Sequence, residues 1–164
     1  MLMNIKNDDL KPCDIKIDKD GVWFFRGAEM FRREFVNFFY QHLIRDETGR
    51  YVIELENDRC YIDVEDVPYI IKAVHWEERK ENGRERILLL LSDDTTENLA
   101  PDTLWIGDEN VVYCRVRNSV FDARFSRASY YQLAEYINYD EAKDMFYIKV
   151  NGNAYYLIQK EKKG

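Results

Sequence analysis

Glycine, proline and histidine are scarce in this sequence, with 7 Gly, 3 Pro and 2 His in 164 residues. Few breakers exclude a fibrous or low-complexity chain. His42 and His75 are too far apart in sequence to form a close metal-ligand motif. His42 falls on an apolar helical stripe and reads as a packing residue, and His75 reads as an ordinary strand residue. Cysteine is also sparse. Cys13, Cys60 and Cys114 are widely separated and odd in number, which does not suit a disulfide framework. No close pair suits a zinc site. The expectation is therefore three buried or half-buried thiols without a chemical role.

Long apolar runs are missing as well. The longest of note, residues 87–91, has only the length of a strand, so a membrane-spanning helix is not expected. The amino-terminal residues MLMNIKNDD lack the apolar core of a secretory signal, and a cytoplasmic location is the expectation. Positive charge is in deficit, with 24 Lys and Arg against 31 Asp and Glu and a net charge of -7. That balance argues against broad binding to nucleic acid, which needs a positive face for the phosphates.

What the sequence does contain points to a soluble globular α+β protein: 46% hydrophobic, 34% charged and 15% aromatic residues. Residues 14–18 alternate polar and apolar, the period of a half-buried strand. Lys19-Asp20-Gly21 predicts a tight turn, and 22–25 the returning strand. Phe31, Phe35, Phe38, Phe39, His42 and Leu43 form an apolar stripe at helical spacing. Strands are predicted at 51–55, 60–64, 69–76, 86–91, 104–106 and 111–116. The acidic, hydroxyl-rich stretch 92–101 has no apolar period and reads as a linker or functional loop. After a strand at 120–124, Ser126 is a plausible helix cap. Tyr130, Leu133, Ala134 and Ile137 share one face of the helix that follows. Asn151-Gly152 is the strongest hairpin signal, between strands at 145–150 and 154–158.

This order contains an echo. Residues 13–66 read strand, strand, helix, strand, strand, and residues 111–159 repeat that ββαββ order. Residues 67–110 supply bridging antiparallel strands. The closest match sets Tyr51-Val-Ile-Glu-Leu beside Phe146-Tyr-Ile-Lys-Val, in the same phase. One supersecondary unit used twice, each helix covering a small antiparallel sheet, would explain it.

Two kinds of site follow. Arg26, Arg32 and Arg33 in the first motif, and Arg124 and Arg127 in the second, mark the strand-to-helix junctions. If the repeats converge, their guanidinium forks would hold a small anionic ligand. Otherwise they pair with the abundant acids. Asp58, Asp63, Glu65 and Asp66 form an acidic cluster before Pro68. Asp63, Glu65 and Asp66 would serve as a polar site or hold a divalent ion through hard oxygens. A solvated sheet edge accounts for them equally well. Asp93, Asp94 and Glu97 form a second cluster that does not match a calcium loop. No phosphate loop, nucleophile elbow or dinucleotide fingerprint occurs, so no cofactor, catalytic residue or resident metal is assigned. The 12 Tyr and 3 Trp favour a recognition surface, and a homo-oligomer is expected.

Three passages carry a family resemblance. They are CDIKIDKDGVWFF from Cys13 with MFRREFVNFF from Met30, then IDVEDVP from Ile62, then VVYCRVR from Val111 with ARFSRASYYQL from Ala123. In this order they resemble the bacterial DUF1285 proteins through nearly the whole chain. The resemblance implies a fold of repeated motifs and a part in bacterial signalling, with no catalytic residues to carry across. Arg32, Glu65, Asp66 and Pro68 match motif positions of that family, and Arg115 and Arg124 match its late arginines. The family's Asn-x-Gly-Asp-like stretch before a His-Pro pair is replaced here by SDDTTENLAP from Ser92, so a site built on that His has no counterpart. The leading expectation is a non-catalytic ligand-sensing or interaction module. The alternatives are a carboxylate-based or metal-assisted enzyme and a structural dimer.

Overall fold

Residues 10–160 are described by a computed structural model. The chain divides into two compact units, Met1–Asp66 and Val67–Gly164.

Among the described residues, the first unit is one six-stranded sheet with a single α-helix. In chain order it runs β1 (Lys11–Ile17), β2 (Trp23–Phe25), β3 (Ala28–Glu29), α1 (Arg33–Gln41), β4 (Leu43–Arg45), β5 (Tyr51–Leu55) and β6 (Asp58–Val64). The spatial order is β3-β2-β1-β6-β5-β4. Two antiparallel halves meet where β1 pairs with β6 in parallel. Local chemistry makes the first turn. Asp18 Oδ1 accepts from the backbone N–H groups of Asp20 and Val22, while Gly21 takes φ +83°. Ile15 and Ile17 are buried, in the predicted phase.

Helix α1 is shorter than the predicted stripe and lies on a different face. Val36 and Tyr40, one turn apart, are buried. Tyr40 packs edge-on against Trp23 at 4.7 Å. Phe31, Phe35 and Phe38 are exposed, at 79%, 49% and 43%. The segment is apolar around most of its circumference, so spacing alone did not distinguish the inward face. The fit to Trp23 did. His42 ends the helix against the Phe38 ring, and Leu43 begins β4.

The expectation of three inert thiols is overturned at two of them: Cys13 and Cys60 form a disulfide. The parallel register sets Lys11 opposite Cys60 and Pro12 opposite Tyr61, bringing Cys13 beside Cys60. Two strands at opposite ends of the unit are thus tied together, a pairing that linear spacing does not reveal. Cys114 is free and fully buried, and burial raises its thiol pKa far above the ordinary value, with Glu97 and Asp122 adding to the shift.

The second unit holds two sheets. Its strands are β7 (Tyr69–Glu78), β8 (Glu85–Leu91), β9 (Thr96–Asn98), β10 (Trp105–Ile106), β11 (Val112–Val116) and β12 (Phe121–Phe125). Helix α2 (Arg127–Ala134) follows, then β13 (Ile137–Asp140), β14 (Met145–Val150), β15 (Asn153–Tyr156) and β16 (Ile158–Gln159). One sheet is ordered β16-β10-β11-β12-β7-β8-β9 and the other β13-β14-β15. Ser126 caps α2 as expected, its hydroxyl accepting from Ser129 N–H at 3.1 Å. The helix also repairs an irregularity in β7, whose register shifts between Ile71 and Ala73. Ile71 C=O accepts from Ser129 Oγ at 2.7 Å and from Ser126 N–H at 3.1 Å. Gln132 Oε1 accepts from Val74 N–H at 2.7 Å. These bonds satisfy backbone groups that would otherwise be costly to bury.

The fold is α+β, with two helices flanked by strand-rich sheets in a roughly repeated arrangement. After each helix the chain makes a three-stranded antiparallel meander, β4-β5-β6 or β13-β14-β15. Ile53 faces Leu43, and Ile148 faces Ile137, at equivalent places. The sheets close differently. In the first unit β6 pairs with β1 directly, whereas in the second β16 pairs with β10. Residues 67–110 are integral to the large sheet, because β7 pairs in parallel with β12.

The stretch 92–101 is a folded return rather than a linker. Ser92 and Asp93 are buried, and Asp93 Oδ1 accepts from both the N–H and the hydroxyl of Thr95. Leu99 is buried after the short strand β9, and the Glu97 carboxylate accepts from Arg117 N–H.

Candidate functional site

The outward face of β1 is polar by strand alternation. With Ile15 and Ile17 inside, Asp14, Lys16 and Asp18 point the other way. Register sets Lys16 between Phe24 of β2 and Asp63 of β6, forming a cross-strand row. An open cleft of about 740 Å³ lies over this row. Its walls carry Asp14, Asp18, Asp63 and Glu65, with Lys16, Arg26, Phe24 and Ile15.

Backbone irregularities shape one end of the cleft. Asp14 takes φ +60° where the pairing of β1 with β6 shifts register, and Arg26 takes φ +50° just before Gly27 at +81°. The two residues are joined twice: Arg26 N–H donates to Asp14 C=O at 2.9 Å, and its guanidinium Nε lies 3.5 Å from Asp14 Oδ2. The guanidinium also covers the Phe25 ring, 5.1 Å from its centroid. At the other end Glu65 N–H donates to Ile17 C=O, and its carboxylate accepts from Lys19 N–H at 2.9 Å. That end is therefore held by main-chain bonds.

Arg26 from the arginine group and Asp63 and Glu65 from the acidic group line this cleft together. Asp66, Arg32 and Arg33 are not among its walls. Arg32 stands at the helix N-cap, where its carbonyl accepts from Phe35 and Val36 N–H, and its guanidinium lies 5.7 Å from the Phe35 ring centroid. Arg33 opens α1. Arg124 and Arg127 belong to the second unit, Arg124 in β12 and Arg127 at the first position of α2, 6.0 Å from the Tyr131 ring centroid. Among the described residues no group of three or more His, Cys, Asp and Glu is placed to hold a metal ion.

Sequence reasoning missed Asp14, Lys16, Asp18 and Phe24. The alternation that buries Ile15 and Ile17 already assigned the three polar residues to one face. Only the strand register showed that β2 and β6 flank that face.

No described helix is long and apolar enough to cross a membrane. No curated protein matches the chain. Residues 6–67 match the N-terminal domain of DUF1285, a domain of unknown function. A DUF1285 family protein from Silicibacter pomeroyi DSS-3 has a similar crystal structure, with 19% identity, TM-score 0.75, and coverage of 90% of this chain and 81% of that one. Another from Shewanella baltica OS155 has 20% identity, TM-score 0.61, and coverage of 76% of this chain and 91% of that one. The first unit thus matches the DUF1285 N-terminal domain by sequence, and the fold shared with these two DUF1285 family proteins extends through most of the chain.

Proposed function

We propose that the chain is a non-catalytic ligand-sensing module whose first unit binds a small zwitterion on the outer face of its sheet. The cleft supports this reading by setting Arg26 and Lys16 beside four carboxylates, Asp14, Asp18, Asp63 and Glu65. Its volume of about 740 Å³ suits a small molecule. The arginine-held anion expected from the sequence becomes one end of the ligand. The carboxylates take its cationic end, and Phe24 covers its apolar middle. Such a sensor would serve the bacterial signalling that the family resemblance implies.

Free lysine, cadaverine and glutarate are probes of similar length and different charge. Titration calorimetry should rank lysine first, with Arg26→Ala and Glu65→Gln each weakening it about tenfold or more, the scale of a lost charge-assisted hydrogen bond. Glutarate binding best, or no binding of any probe, would overturn the reading.

A second copy of the chain is the partner we assign to the exposed Phe31, Phe35 and Phe38 face. Aromatics beside an arginine, here Arg32 over Phe35, have the composition of interface hot spots. A chain of net charge -7 offers carboxylates to that arginine. Sedimentation velocity should show a dimer that Phe35→Ser dissociates, and a monomer at every concentration would refute it. A cytoplasmic location requires the Cys13–Cys60 pair to be redox-cycled, since disulfides there are transient. Alkylation of acid-quenched cells should then find both thiol and disulfide, and a wholly oxidised pair would place the chain in an oxidising compartment.

A further inference from the structure

The second unit contains a cleft of a different character, about 360 Å³ in volume, between helix α2 and the edge of the large sheet. One wall is a cross-strand row. Ile106 of β10 faces Val112 of β11 on one side and Gln159 of β16 on the other. The facing wall is Tyr130, Ala134 and Ile137, at i, i+4 and i+7 along α2 and into β13. This is most of the apolar stripe that the sequence assigns to the helix. Of that stripe only Leu133 is fully buried. The other three look into the gap. Leu157 lies at the buried base, and Phe146, 45% exposed, forms the lip.

The gap has a simple origin. Ala134 carries only a methyl group where the stripe faces the sheet. A longer side chain there would take up part of the gap whose lining also includes Ile106 and Val112. The lining also has a definite polarity. The polar residues of its lining are Asn110, Gln159 and Tyr130, and among the described residues no charged residue lines it. A charged ligand would lose its hydration there without a counter-charge in return. An uncharged apolar ligand would regain the contacts that the facing walls lack.

We infer that this cleft is a binding site for a small, uncharged, flat apolar ligand with one hydrogen-bonding end, such as a phenol or an indole. The body of the ligand lies between Ile106 and Ala134, and its polar end meets Asn110, Gln159 or Tyr130. The volume is near the lower end of the range for small-molecule pockets, which selects one or two fused rings over a long chain. The site is independent of the charged cleft in the first unit.

The probes are 2-naphthol and, as its charged counterpart, 2-naphthoate. Titration calorimetry of the full chain should give saturable binding of naphthol and at least about tenfold weaker binding of naphthoate, a difference of about 1.4 kcal/mol. Ala134→Leu fills the gap from the helix side and should abolish naphthol binding while leaving the circular dichroism spectrum unchanged. Ile137→Phe, filling it from the start of β13, should do the same and serves if the first variant fails to fold. No saturable binding to the wild type, equal affinity for the two probes, or undiminished binding in a folded filled variant would overturn the assignment.

Discussion

Removing the Cys13–Cys60 disulfide should strongly destabilise the first unit. The bridge joins residues 47 apart in sequence. In the chain-entropy account, a closed loop of that size restricts the unfolded ensemble by roughly 4 kcal/mol. Whole-domain stabilities are about 5–15 kcal/mol, so the loss would bring the unit near its unfolding threshold. The native contacts should largely survive, because β1 keeps its pairing to β6 through Lys16–Asp63 and Ile17–Val64. The clean perturbation is the double variant Cys13→Ser, Cys60→Ser, compared with wild type reduced by a dithiol. Urea unfolding would be followed through Trp23, buried in this unit against Tyr40, in a background of Trp76→Phe and Trp105→Phe. Both reduced forms should lose about 3–4 kcal/mol relative to the oxidised protein. Their m-values should rise, since an unbridged chain exposes more surface on unfolding. A loss below about 1 kcal/mol would refute the reasoning, showing that the bridge hardly restricts the unfolded chain.

Two further outcomes test the local packing and electrostatics. A Cβ added at Gly107 would lie 2.8 Å from the Tyr113 ring and 3.1 Å from that of Trp105, rings stacked at 4.1 Å. Gly107→Ala should cost about 1–3 kcal/mol through overpacking and diminish the near-ultraviolet signal of Trp105, whereas an unchanged spectrum and melting temperature would refute the contact. The Thr48 hydroxyl, followed by main-chain N–H groups and the Arg50 side chain, lowers the Asp46 pKa from 3.8 to about 2. Its contribution to stability is therefore complete above pH 3.8 and lost as pH falls toward 2. Asp46→Asn should flatten the stability profile in that window, and an unchanged slope would contradict the assigned bonds.

The roughly repeated strand-helix-strand order and the helix cap at Ser126 follow from local chemistry. So do the inward phase of Ile15 and Ile17 and the Asn151-Gly152 turn, whose residues take φ +52° and +83°. Each depends on neighbours a few residues away, so the sequence by itself determined them. Tertiary structure decided which strands became partners. The sequence shows two similar hairpins in each half, yet β6 meets β1 in one unit while β16 meets β10 in the other. That choice arises from long-range pairing, whose energy is shared among residues far apart in the chain. The disulfide follows from the same choice, and so does the charged cleft, whose two flanking strands enclose the whole of α1. The Phe stripe makes the same point for helices. Spacing established that α1 is a helix with apolar residues, but only the shape of the surface around Trp23 selected Val36 and Tyr40 for burial and left Phe31, Phe35 and Phe38 in solvent.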